Sequence, residues 1–195
     1  MIRFCDILFS LIGLLLLSPL FLIVALWIVI DNPGPVFYRQ QRVGRDNKDF
    51  GLLKFRSMRV GADKMSLITI GERDPRVTRA GYYIRKYKLD ELPQLWNVFI
   101  GDMSLVGPRP EVRRYVDLYT PEQQKVLSVR PGITDYASIE YIDENRLLAQ
   151  SANPDKTYIE EIMPAKIALN MRYINHRTLG EYLKIIFLTF YNIVR

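Results

Sequence analysis

Asp90 and Glu91 stand side by side in Leu89-Asp90-Glu91-Leu92-Pro93-Gln94, just ahead of an apolar stretch that a proline opens. Proline is comfortable in a helix only in the first turn, so Pro93 predicts a helix start with Asp90 at or near the N-cap. There a carboxylate faces free amides and the positive end of the helix dipole, which keeps it ionised. The same terminus attracts phosphate. An ionised carboxylate beside a phosphate site can act as a nucleophile on phosphorus. Anion repulsion must then be offset by a divalent cation and nearby arginines. Glu91, the neighbour of Asp90, could supply a metal ligand. An aspartate that merely caps a helix accounts for the same letters.

The surrounding sequence supplies the cations. Pro108-Arg109-Pro110, after Gly107, fixes the backbone on both sides of one arginine and presents its guanidinium in a preset direction, suited to bidentate phosphate binding. Arg130-Pro131-Gly132 repeats the idea, and Lys54-Phe55-Arg56 sets two cations on one face of an expected strand. Rigid surface loops and a solvated sheet face are the ordinary readings of these segments. Taken together they outline a basic, loop-rich site around one carboxylate pair. The single His176 rules out a multi-histidine metal site, and nothing around it or Cys5 supports nucleophilic catalysis there. No Gly-x-x-x-x-Gly-Lys loop, dinucleotide fingerprint or zinc spacing is present.

These residues need a scaffold, and its first element is apolar. Ile7 to Ile30 carries no charge, with Ser18-Pro19 near the middle. A straight helix of this length would cross a hydrocarbon core of roughly 30 Å. Proline breaks or kinks a helix interior, and a serine hydroxyl bonded to a carbonyl deepens the bend. Each arm, at about 17 Å, would reach mid-bilayer only. Arg3 before the run, and Arg39, Arg42, Arg45 and Lys48 after it, would place both flanks in the cytoplasm. A kinked spanning helix and a re-entrant helix-break-helix both satisfy the residues taken alone.

Asn32-Pro33-Gly34-Pro35 ends this segment as a turn. Val36 to Tyr38 reads as a short strand, Gln40 to Asp49 as a polar turn region, and Phe50 to Met58 as the second strand of a hairpin. A loop with a short helix is expected over 59–79, helices over 80–87 and 89–99, and a loop over 101–110. Helices follow from Pro121 to about Leu127, over 143–151, and over 158–175. Leu179 to Val194 places Leu179, Tyr182, Leu183, Ile186, Phe190 and Ile193 on one face, as a core-packing helix or an interfacial one. The fold class is α/β in the helix-rich α+β sense: residues 1–31 as membrane segment, 32–195 as one compact domain with a small β-hairpin.

The chain has 195 residues and a formal net charge of +6, all of it outside the membrane segment because Arg3 and Asp6 cancel. A basic domain beside a membrane suggests anionic headgroups or phosphorylated substrates. No nucleic-acid-binding motif accompanies the charge, so nucleic acid is not expected as a partner. One cysteine excludes an intramolecular disulfide and suits a reducing compartment.

At these residues the chain resembles the bacterial sugar transferase family, the monotopic phosphoglycosyl transferases. The resemblance runs through Ser18-Pro19, Lys54-Phe55-Arg56-Ser57-Met58, Arg85 with Leu89-Asp90-Glu91-Leu92-Pro93-Gln94, Gly101-Asp102-Met103-Ser104, Gly107-Pro108-Arg109-Pro110 and Arg130-Pro131-Gly132-Ile133-Thr134. With no appended N-terminal domain, it is similar to the small members that are catalytic core alone.

The resemblance implies transfer of a sugar 1-phosphate from a UDP-sugar to a polyprenyl phosphate, usually undecaprenyl phosphate, with release of UMP. It implies magnesium, a covalent phosphosugar on Asp90, and Glu91 helping to hold the metal. Lys54, Arg56, Arg85, Arg109 and Arg130 would lie near the substrate phosphates. It also implies a re-entrant membrane segment broken at Ser18-Pro19, with the active site on the cytoplasmic face of the bacterial inner membrane. A homodimer, or an assembly with downstream glycosyltransferases, is compatible with it. Many members follow Pro-Gly-Ile-Thr with Gly-Leu-Ala-Gln, whereas this chain has Asp135-Tyr136-Ala137-Ser138. That departure bears on sugar preference. Two rivals stand beside this reading: a membrane-anchored basic scaffold without activity, and a membrane phosphohydrolase using the same aspartate.

Overall fold

The computed structural model describes residues 1–62 and 74–194. Part of the loop and short helix expected over 59–79 therefore lies outside the described residues. The apolar N-terminal run forms one α-helix, α1 (Ile2–Asp31). This differs from the expected helix-break-helix, because helical hydrogen bonding continues through Pro19. The reason is local. In a regular helix the N–H at position 19 would bond the Leu15 carbonyl, and proline has none. The Ser18 hydroxyl donates to that same carbonyl at 2.8 Å and takes the missing place.

α1 is two-faced. Asp6, Ser10, Val24 and Ile28 are buried against the rest of the chain, on both sides of Pro19. Leu15, Leu16, Leu22, Ile23 and Ile30 remain more than half exposed. By length and composition it is long and apolar enough to cross a membrane, with a mean hydropathy of 2.8 in its most apolar window.

Both ends of α1 are tied to the same body. At the start, Arg3 donates to the carbonyls of Val98 (2.6 Å) and Phe99 (2.8 Å). Asp6 Oδ1 accepts from the Ser104 hydroxyl, the Leu105 N–H and the Tyr182 hydroxyl, each at 2.9 Å. At the finish, Asp31 accepts from the Ala80 N–H at 3.0 Å. Gly34 follows at φ 140°, and a Cβ there would lie 2.5 Å from the Arg56 guanidinium, so only glycine lets the turn close.

The hairpin is present and longer than its sequence suggests. Strands β1 (Phe37–Val43) and β2 (Asp49–Phe55) pair antiparallel, from Phe37 opposite Phe55 to Val43 opposite Asp49. A 3₁₀ turn joins them, with Asp46 and Asn47 left-handed at φ 56° and 59°, the residue types that tolerate this conformation best after glycine. Residues 39–43 are polar in sequence yet extended, because the β2 ladder fixes them.

Next come α2 (Arg79–Lys86), a 3₁₀ turn at Leu89–Glu91, and α3 (Gln94–Ile100). A second small sheet then appears where a loop was expected. β3 (Ser104–Val106) pairs parallel with β4 (Gly132–Thr134). At this crossing a Cβ on Gly132 would lie 2.1 Å from the Gly107 nitrogen, so the two backbones touch.

Short helices α4 (Arg113–Val116), α5 (Tyr136–Glu140), α6 (Glu144–Ala149) and α7 (Pro154–Thr157) lead into α8 (Met163–Asn175) through a π turn at Tyr158–Ile162. The helix expected from Pro121 is a 3₁₀ stretch at Gln123–Ser128. The last helix, α9 (Leu179–Val194), has the expected bounds.

The core is divided into clusters that hold these pieces. Val24 and Ile28 of α1 pack with Phe55, Ala80 and Ile84. Tyr182 and Ile185 of α9 pack with Val106 and Tyr173. The other side of α9 leaves Phe187, Phe190 and Tyr191 exposed. Both readings of this helix therefore hold, on opposite faces.

Candidate functional site

Four elements bring the expected chemistry together. Asp90 and Glu91 sit in the 3₁₀ turn that Lys88, left-handed at φ 57°, introduces. Asp90 is therefore not the N-cap of a long helix as expected. Pro93 occupies that position, and α3 begins at Gln94. Proline cannot donate back to Leu89, so the chain crosses this stretch with i to i−3 bonds, Leu92 to Leu89 at 3.2 Å and Leu95 to Leu92 at 3.1 Å. The side chain of Leu89 packs against the Val24–Ile28 cluster and fixes the turn beside the membrane helix.

β2 contributes Lys54, and Asn97 sets its register. Buried Asn97 accepts from the Leu53 N–H at 2.9 Å and donates to the Gly51 carbonyl at 2.9 Å, clamping α3 onto β2. Lys54, next along the strand, then lies 3.3 Å from Glu91 Oε1. From the opposite side, Arg109 donates from Nη1 to Glu91 Oε2 at 3.1 Å and from Nη2 to Oε1. The fork is bidentate, which a planar guanidinium favours.

This geometry gives the two neighbouring carboxylates opposite characters. Burial alone would raise Glu91, but the charges of Arg109 and Lys54 hold it well below the usual carboxylate range. Arg109 is raised in turn, chiefly by Glu91. Burial lowers Lys54, and Glu91 opposes that. Asp90 is raised from its ordinary value by burial, and the Glu91 charge adds to this; the charges of Lys54, Arg85 and Arg109 act against it. Asp90 makes no hydrogen bond or ion pair among the described residues. The site thus presents one locked anion, three nearby cations and one half-buried free carboxylate. A free, partly desolvated carboxylate in a cationic field is chemically suited to attack phosphorus.

Lys54, Arg85, Arg109, Asp90 and Glu91 converge; Arg56 and Arg130 do not. Arg56 lies one residue past β2, and its buried guanidinium donates to the Asn32 carbonyl, Asn32 Oδ1 (3.2 Å) and the Pro33 carbonyl (3.4 Å). It closes the turn after α1 and is not placed with the cluster. Arg130 Nε donates to the Gly101 carbonyl at 2.8 Å, in the field of Arg3. Both were expected near phosphate because an isolated arginine in a motif gives no sign of which carbonyls will claim it. Asn97 was the opposite omission. Its signal was a polar residue on the apolar face of the predicted 89–99 helix.

The expected magnesium was tested against these side chains. Among the described residues no group of three or more Asp, Glu, His or Cys converges on one point. Glu91 already has both oxygens engaged, so Asp90 alone offers an unpaired carboxylate. Magnesium binds through one or two carboxylates together with substrate phosphates, and that sparse donor set fits.

Comparison with known proteins follows the geometry. A family model described as bacterial sugar transferase matches residues 1–195. The chain is 40% identical over 190 residues to the UDP-N-acetylgalactosamine-undecaprenyl-phosphate N-acetylgalactosaminephosphotransferase of Aeromonas hydrophila, covering 96% of this chain and 42% of that protein. It is 35% identical over 187 residues to the UDP-glucose:undecaprenyl-phosphate glucose-1-phosphate transferase of Escherichia coli (strain K12), covering 94% of this chain and 38% of that one. A protein of the same name from Caulobacter vibrioides is 36% identical over 190 residues, covering 96% of this chain and 67% of its own length.

Proposed function

The chain belongs to the bacterial sugar transferase family, and from that premise we propose that it transfers a sugar 1-phosphate from a UDP-sugar to undecaprenyl phosphate through a covalent intermediate on Asp90. The observation that carries the reading is the unpaired Asp90 carboxylate beside a Glu91 locked by Lys54 and Arg109. An Asp90 oxygen attacks the phosphorus that bears the sugar. The bond from that phosphorus to the bridging oxygen breaks, and UMP leaves with the electron pair. A phosphate oxygen of the lipid then attacks the same phosphorus, the aspartyl–phosphorus bond breaks, and Asp90 is regenerated as carboxylate.

Glu91 holds Lys54 and Arg109 at a fixed separation, so the cations need little reorganisation when diphosphate arrives. Magnesium, held by Asp90 together with the donor's phosphate oxygens, would supply further charge neutralisation.

The setting we propose is the cytoplasmic face of the bacterial inner membrane, with α1 entering one leaflet and returning. The ties of Asp6 and Asp31 to the same domain support it, since a crossing helix would have its ends on opposite sides. So does a set of exposed aromatic residues, Trp27, Tyr83, Tyr87, Trp96, Phe187 and Phe190, of types suited to the headgroup layer.

The test is UMP release with undecaprenyl phosphate and magnesium across a panel of UDP-sugars, with mass spectrometry of the Asp90 peptide after donor alone. A phosphosugar adduct that disappears in Asp90→Asn is expected. Release of UMP by Asp90→Asn at the wild-type rate would overturn the covalent route. Failure of every donor would leave a membrane-bound scaffold, and phosphate release without lipid a hydrolase.

A further inference from the structure

We propose that Asp135 is a positioning residue for Arg109, extending the β3–β4 ladder by one rung through its side chain. The ladder runs from the Ser104 N–H to the Pro131 carbonyl (2.8 Å), through the Gly107 N–H to the Thr134 carbonyl (3.0 Å), with the Gly132 N–H returned to the Pro108 carbonyl (2.9 Å). Beyond it the first strand enters Pro108-Arg109-Pro110. Both prolines lack an N–H, so Arg109 carries the tripeptide's single backbone donor.

The second strand has no carbonyl left to offer, because it turns into α5 with Asp135 as N-cap. The fully buried carboxylate of Asp135 takes both tasks. Oδ2 accepts the Arg109 N–H at 3.0 Å, and Oδ1 accepts the Ser138 N–H. The backbone that launches the Arg109 fork towards Glu91 is thus fixed by a side chain on another element. A glycine at 135, as in the pattern this chain otherwise resembles, has no atom that could do this. The aspartate is therefore a local solution for holding the loop, and its effect reaches the reaction only through Arg109.

The consequence for transfer rests on the function proposed above, while the contact itself does not, so the experiment has two arms. Asp135→Asn keeps an acceptor for the Arg109 N–H and a good cap for α5, whereas Asp135→Ala removes both. In full-length protein in nanodiscs, hydrogen exchange is read at the Arg109 amide, and kcat/KM is read for sugar-phosphate transfer. The expected result for Asp135→Ala is at least tenfold faster exchange and a loss in kcat/KM of about 10- to 100-fold, the scale of small misplacements in an active site. Asp135→Asn should stay within about threefold of wild type in both.

Asn153→Ala is the structural control. It removes the cap of α7, where Asn153 accepts from the Lys156 N–H at 3.1 Å, and should lower Tm without changing transfer. Unchanged exchange at Arg109 in Asp135→Ala would overturn the proposal, and so would wild-type transfer by that variant. Should Asp135→Ala fail to fold, an Asp135→Asn protein that folds but loses Arg109 protection would overturn it equally. If wild-type protein transfers nothing from any donor, the functional reading falls, and the exchange arm still decides the role of Asp135.

Discussion

Arg109 grips both carboxylate oxygens of Glu91, and the adjoining Asp90 is left with no partner of its own. Two acids adjacent in sequence thus differ in charge environment because one faces a fork and a lysine while the other faces open space beside them. That asymmetry separates a structural anion from a reactive one, and most of the behaviour expected of the site follows from it.

Asp90→Asn should abolish transfer and leave stability unchanged or higher. Burial raises the Asp90 carboxyl above its ordinary value, so the folded state holds the proton more readily than the unfolded state. The ionised form therefore costs stability at neutral pH, and that cost is relieved as pH falls through the raised value. A neutral amide removes it. Thermal unfolding beside UMP release checks this, and a marked fall in Tm would contradict it.

Glu91→Gln should act in the opposite sense. Its carboxyl is held low by Arg109 and Lys54, so its ion pairs stabilise the fold above the ordinary glutamate value and are lost only in strong acid. Removing the charge leaves two partly buried cations without their anion, at about 2 kcal/mol. Denaturant titration of the purified protein measures the loss, and transfer should fall with it.

Arg109→Lys should not rescue function. An ammonium cannot reproduce the two-pronged contact with Glu91, so a drop in kcat/KM of about 100-fold is expected despite the conserved charge. Activity within threefold of wild type would show that the fork is dispensable.

The pH profile of the donor half-reaction should have its acid limb above the ordinary aspartate value of about 4. Asp90 must be ionised to attack, burial raises it, and Glu91 stays charged throughout that range. Rapid-quench detection of the adduct between pH 4 and 8 reads the limb directly. A limb at or below the ordinary value would separate reactivity from Asp90.

Tyr182→Phe should lower stability by about 1–2 kcal/mol, since it deletes one of three donors to buried Asp6 and leaves the others in place. Transfer per folded molecule should hold. The matching topology experiment labels an N-terminal tag and Lys48→Cys with an impermeant reagent. Both should react from the cytoplasmic side alone, and labelling of the two from opposite sides would establish a spanning helix.

The sequence by itself determined the parts list: the apolar segment with its proline, the α9 bounds, the hairpin, the acid pair and the basic residues of its motifs. These are local properties, carried by hydropathy, period and proline chemistry within a few residues. It could not show that Ser18 would replace the hydrogen bond denied by Pro19 and keep α1 helical, nor that residues 104–106 would become a strand. A three-residue strand has no periodicity of its own and exists because residues 132–134 lie beside it. Nor could it sort the arginines. Arg109 reaches Glu91, while Arg56 and Arg130 are spent on carbonyls at Asn32 and Gly101, because a long side chain bonds whatever the fold brings within its reach. Tertiary structure alone decided which cation meets which anion, and so which of two neighbouring acids remains free to react.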